Sequence, residues 1–222
     1  MAAPNANLLL CPPRFKFARR KFGHASLKIL DVGCGNHSPT ITKRWFPEAE
    51  YHGADIAKHN LDTADEKNLD RFFSLSMEGG GYDAIPDGEY DFVVLNHVLE
   101  HIRDPEPVVK AACAKLKTGG LIWIAFPSLR SLTLPRATSG TLNFHDDATH
   151  VRMCEVKEVA GWLLASGVQI LKAGPSRDLL RSLIGAAILP FALLRRLTTG
   201  KLSAWGLWHV LGFEDRVLGV RI

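Results

Sequence analysis

Residues 28–35 read Lys-Ile-Leu-Asp-Val-Gly-Cys-Gly. A short β-prone apolar run ends in an acid, and Gly33 and Gly35 follow, one residue apart. This spells a strand, a tight turn and a close approach of backbone to ligand, because glycine alone reaches positive φ at little cost. Asp31 narrows the ligand. A loop that cradles a pyrophosphate uses backbone N–H groups and a helix N-terminus, without a carboxylate beside them. A full dinucleotide fingerprint also needs a third glycine, and position 38 is Ser. The segment therefore points to a cationic nucleoside cofactor and away from a nicotinamide dinucleotide.

The middle of the chain alternates strands and helices. Strands are expected over 27–32, 51–56, 71–76, 90–95 and 121–126, and one beginning at 168. The run Tyr90-Asp91-Phe92-Val93-Val94-Leu95 is almost continuously apolar, as for a strand covered on both faces. Helices are expected over 38–46, with Ser38 as N-cap and Pro39 first; over 107–116, stopped by Thr118-Gly119-Gly120; and over 155–165, stopped by Gly167. The alternation implies an α/β fold with a parallel, doubly wound sheet, which binds ligands outside the carboxyl ends of its strands. A chain of 222 residues is one such domain plus an appendage. The divisions expected are a basic N-terminal helical segment over 1–26, a core over 27–175, and an apolar, basic helical extension over 176–222.

Candidate site residues fall at strand ends. Asp55 lies 20 residues past Gly35, at the spacing where a carboxylate accepts the hydroxyls of an adenosine ribose; alone it would read as a surface turn acid. Met77 and Glu78 follow the third strand, on the side of an adenine. Asn96-His97-Val98-Leu99-Glu100-His101 follows the fourth strand.

Four ordered motifs carry a resemblance. Leu30-Asp31-Val32-Gly33-Cys34-Gly35, then Gly53-Ala54-Asp55-Ile56, then Tyr90–Val94 with Leu99-Glu100-His101-Ile102, then Leu116–Leu121 resemble a class I S-adenosylmethionine (SAM)-dependent methyltransferase. The resemblance covers roughly residues 27–170. It implies a Rossmann-like, mostly parallel seven-stranded sheet in the order 3-2-1-4-5-7-6. It also implies SAM as methyl donor and S-adenosylhomocysteine as product. Carried over by position, Asp31, Gly33, Cys34 and Gly35 hold the methionine end, Asp55 and Ile56 flank the ribose, Met77 and Glu78 the adenine, and Asn96 and His97 line the methyl-transfer face. His37 stands where many members have a third glycine.

The acceptor is read from residues 143–152, Asn-Phe-His-Asp-Asp-Ala-Thr-His-Val-Arg. His150 is the first candidate for the base that takes the acceptor's proton and His145 the second. The alternative has His150 and Arg152 capping a helix or pairing with Asp146 or Asp147. No metal is expected, since a transferred methyl needs none. The acceptor expected is a small molecule or glycan, also in lipid-linked form, methylated on oxygen. A non-catalytic relative and a nicotinamide-dependent oxidoreductase are the competing readings. Asn-His-Val-Leu after the fourth strand, in place of the Asn-Pro-Pro-Tyr type of motif used on flipped bases, argues against nucleic acid.

The charge is uneven. Residues 1–30 carry +6 and residues 172–222 carry +5, leaving −7 in the middle against a net +4. The two basic ends are either solvated surface or a contact for an anionic partner. The uncharged run 182–194 is about half of what spans a bilayer, is interrupted by Pro190, and is flanked by Arg181, Arg195 and Arg196. It reads as a membrane-interface helix or as a lid or dimer contact. Cys11, Cys34, Cys113 and Cys154 form no CxxC pair, and no signal peptide is recognisable. Reduced thiols and a cytoplasmic location are the expectation, with peripheral attachment to the inner face of a membrane following only from the membrane-interface reading of the tail.

Overall fold

The computed structural model describes residues 10–23, 25–76 and 80–222. Seven strands form one sheet: β1 (Lys28–Val32), β2 (Glu50–Asp55), β3 (Arg71–Ser74), β4 (Tyr90–Asn96), β5 (Leu116–Pro127), β6 (Val168–Pro175) and β7 (Glu214–Arg221). Their order is β3-β2-β1-β4-β5-β7-β6. The first five pair in parallel, and β7 runs antiparallel to both β5 and β6. The helices are α1 (Pro13–Phe22), α2 (Ser38–Trp45), α3 (Thr63–Asn68), α4 (Glu106–Ala114), α5 (Val156–Ala165), α6 (Leu179–Thr199) and α7 (Trp208–Leu211).

Strand geometry explains the apolar runs. Successive side chains point to opposite faces. Leu30, Val93, Leu95, Ile122 and Ile124 therefore join one core with residues of α4 and α5. Ile29, Phe92, Val94, Leu121 and Trp123 join the other, with Phe15 and Ala18 of α1. A third cluster, of Leu134, Leu142, Leu202, Leu207 and Phe213, takes in Ile188, Leu189 and Ala192 of α6. The four cysteines are free and buried.

Several boundaries differ from the sequence expectation. Ser38 is the first residue of α2 and caps nothing; the cap position is His37, in the left-handed region. Burial draws the Ser38 hydroxyl inward to Asp31 instead. β5 begins at Leu116, because Leu116 pairs with Tyr90 before the register shifts. α6 runs through Pro190, whose ring sits on the exposed side. A core ending at 175 with a terminal appendage cuts a hairpin: β6 and β7 pair from Val168 with Arg221 to Pro175 with Asp215. The last strand is thus inside the sheet, and residues 176–213 are an excursion between two paired strands.

Candidate functional site

β1 lies between β2 and β4, so the chain reverses its winding direction there and leaves a crevice at the carboxyl ends. The turn after β1 is cut to fit. Gly33 has φ 76°, and a Cβ on it would lie 2.5 Å from Val98 Cγ2. A Cβ on Gly35 would lie 2.9 Å from the His59 carbonyl oxygen. Asn36 and His37 both take positive φ to complete the turn. The Gly35 N–H donates to Asp55 Oδ2 at 3.3 Å, and Asp55 Oδ1 accepts from the Ile56 N–H at 2.7 Å.

A cavity of about 340 Å³ opens at this point. Gly33, Gly35, Asn96, His97 and His150 line it, as do Arg14, Glu100, His101, Trp208 and Phe213. The two histidines sit in opposite circumstances. His97, at φ 58°, bonds Glu100 Oε1 through Nδ1 at 2.9 Å and Glu214 Oε2 through Nε2 at 2.8 Å. Burial disfavours its charge, but the two carboxylates outweigh that and push its pKa up to about 10. Burial likewise disfavours charge on Glu214, and His97 overcomes it, holding that carboxyl below its ordinary value. His97 also stacks on Phe213 at 5.9 Å and lies 5.0 Å from the Trp208 ring. It is a pin joining the end of β4 to the start of β7.

His150 is held from one side. Its Nδ1 donates to the Phe144 carbonyl at 2.7 Å, which leaves the lone pair on Nε2. That atom stands 4.0 Å from Glu100 Oε1 and 3.9 Å from Asp147 Oδ2. Glu100 is 1% exposed, and its second oxygen has no hydrogen-bond partner. His101 stacks edge-on to His150 at 4.9 Å.

Not every candidate reaches the cavity wall. Asp31 is buried behind it and accepts from Ser38 Oγ at 2.5 Å and Tyr51 OH at 2.8 Å; burial raises its pKa while Arg14 and these hydroxyls lower it. Cys34 is packed against Gly53, where only a hydrogen leaves room for its Sγ. Ile56 is exposed. His145 is also exposed: the reciprocal cap between Asn143 and Asp146 closes a turn that buries Phe144 and turns its neighbour out. Met77 and Glu78 lie outside the described residues. Arg152 pairs with Glu158 of α5.

Sequence reasoning missed several wall residues, Asn36 and Ile41 beside the glycine turn among them. Arg14 comes from α1, and its Nε is buried without a partner. Trp208 donates from Nε1 to the Thr141 carbonyl at 2.6 Å, so the 176–213 excursion is tied over the cavity. Phe213 and Thr141 complete that wall. The one signal available in the sequence was the excess of basic residues over 1–30, to which Arg14 belongs. Where no metal ligand set was expected, two groups among the described residues come within reach of one ion: Glu100 with His101 and His150, and His37 with Asp62 and Asp65. The second is already spent on capping α3 and holding His37.

Comparison with known proteins gives consistent matches. Residues 6–173 match the model of a methyltransferase domain family. A ubiquinone biosynthesis O-methyltransferase of Methylococcus capsulatus is 30% identical over 186 residues, 74% of either chain. One of Chromobacterium violaceum is 32% identical over 121 residues, 53% of this chain and 51% of that protein. The fold matches the Haemonchus contortus phosphoethanolamine N-methyltransferase 2 complex with S-adenosylhomocysteine, at TM-score 0.60 and 14% identity, over 94% of this chain and 52% of that one. The chain thus spans about half the length of the last two. With a family match over most of the sequence, the crevice at β1 and β4 and the strand order in agreement, the chain belongs to the class I SAM-dependent methyltransferases.

Proposed function

We propose that this chain methylates an oxygen of a small-molecule acceptor seated between the Gly33–Gly35 turn and His150. The residues present fit the cofactor. The buried, unpartnered Arg14 Nε suits the methionine carboxylate, the glycines admit backbone contact with it, and the carboxylate of Asp55, at the end of β2 beside the Gly35 N–H, suits the ribose hydroxyls. SAM, when bound, supplies a methyl group on a sulfonium. Asn96 and His97 wall the transfer face, and the fixed charge of His97 orients polar groups there without giving up its proton.

His150 receives the acceptor's proton at Nε2. The observation that carries this is the tautomer lock: the Phe144 carbonyl holds Nδ1–H, so the lone pair faces the cavity. Glu100 and Asp147 stabilise the imidazolium that results. Alignment of acceptor and methyl supplies most of the rate. The names of the O-methyltransferase relatives support oxygen as the target.

The test is formation of S-adenosylhomocysteine on a panel of phenolic, catecholic and sugar hydroxyl acceptors, with and without a chelator. His150→Ala retaining within about tenfold of wild-type kcat would remove His150 as base, since such a loss ordinarily costs 10²–10⁴-fold. Activity abolished by chelation and restored by Mg²⁺ would reassign Glu100, His101 and His150 to a cation.

A further inference from the structure

The excursion 176–213 carries a helix whose two sides are unlike. Gly185, Ile188, Leu189 and Ala192 of α6 face inward; a Cβ on Gly185 would lie 2.5 Å from the Gly206 carbonyl oxygen, and the other three pack into the third cluster. The outward side is bare. Leu179 is 78% exposed, Leu183 61%, Phe191 73%, Leu194 59% and Leu197 85%. Their spacings of 3, 4 and 8 residues place them on one helical face. At 100° per residue no charged side chain falls among them. Trp205, 75% exposed, follows in the loop after the helix. Monomeric soluble proteins rarely expose so continuous an apolar surface without a partner for it.

The flanking charge identifies the partner. From Leu179 to Phe213 there is no Asp or Glu, while Arg195, Arg196 and Lys201 follow the apolar face. These three make no ion pair among the described residues. The helix is 21 residues long, about 30 Å, yet no described helix is long and apolar enough to cross a membrane. A second copy would bring the same cations and no carboxylate to the contact. We infer that α6 docks on an anionic bilayer, lying in its interface plane with the leucines and Phe191 in the acyl boundary and the cations at the headgroups.

Docking leaves one layer of chain between the cavity and the lipid. Gly206, Leu207 and Trp208 lie beneath α6, and Trp208 is a wall of the cavity. Resting on the methyltransferase reading, this makes an acceptor with an apolar tail, partitioned in the bilayer, the substrate class that the geometry serves.

The full chain is tested by co-sedimentation with phosphatidylcholine vesicles, with and without phosphatidylglycerol, at low and high salt. Binding is expected only with the anionic lipid, weakened by salt. Leu183→Ser/Phe191→Ser/Leu194→Ser is expected to abolish it, and Arg195→Gln and Arg196→Gln each to weaken it about fivefold, with SAM affinity by calorimetry unchanged in all. No binding to anionic vesicles, or binding insensitive to both sets of substitutions, overturns the inference. So does a dimer, seen by sedimentation velocity, that the serine variant dissolves. Because SAM affinity and turnover of a soluble acceptor are read separately, failure here leaves the assignment of His150 standing.

Discussion

His97 and His150 line the same cavity, both within reach of Glu100, and differ in how many of their nitrogens the fold has used. His97 has both ring nitrogens on buried carboxylates. The carboxylates keep it protonated at neutral pH, and its work is to pin β4 to β7. His150 has one nitrogen spent on a carbonyl and one left over. Full satisfaction turns a titratable side chain into scaffold, and partial satisfaction leaves it available for chemistry.

The contrast can be broken most sharply at His150. Its replacement by Ala is expected to lower kcat by about 10²–10⁴, while costing only about 1 kcal/mol of stability for one hydrogen bond, read from turnover and a denaturant midpoint on the same protein. His97→Ala should differ in its cost to stability. It leaves Glu100 and Glu214 buried and facing each other, and losing one partner of a buried pair costs about 3–5 kcal/mol; a melt within 0.5 kcal/mol of wild type, taken as about the surface-substitution limit, would refute the pin. Gly33→Ala comes next. A Cβ at φ 76° meeting Val98 should cost about 1–3 kcal/mol and weaken SAM binding measured by calorimetry.

The pin also sets a pH window. The His97 pKa is raised from 6.5 to about 10, so its stabilisation is complete below 6.5 and lost as pH rises through about 10. The Glu214 carboxyl is depressed below 4.5, so its share is present above that value and lost as pH falls through the lower one. The stability difference between wild type and His97→Ala, followed by thermal melts across pH, should shrink at both ends. His145→Ala is expected to do least, moving stability and turnover by no more than about 0.5 kcal/mol, because the ring lies outside the cavity.

Much of the sheet was legible because strands buried on both faces are written as continuous apolar runs. Phe92 to Leu95 and Leu121 to Phe126 needed no context. Boundaries set by pairing were harder. Leu116 is a strand residue because Tyr90 is beside it, and nothing local to Lys117 or Gly119 says so. The β7 strand was hidden behind the α6 excursion, since antiparallel partners can be any distance apart in the chain. In the site, residues tied to strand ends came from spacing: Gly33, Gly35, Asn96 and His97 all reach the cavity. Asp31 does not, because its carboxylate is consumed by Ser38 and Tyr51, partners 7 and 20 residues away.

The sequence alone determined the alternation of strands and helices, the glycine turn after β1 and the cofactor class, because these depend on local periodicity and on where a backbone can take positive φ. Only the tertiary structure decided what each polar group does. Arg14, Trp208 and Phe213 reach the cavity from segments far apart in the chain, and Glu214 reaches it only through His97. Whether a histidine becomes pin or base depends on which carboxylates and carbonyls the fold brings to its two nitrogens. The outward, uncharged face of α6 is likewise a tertiary fact: the sequence shows an apolar helix, and packing selects which side of it is left exposed.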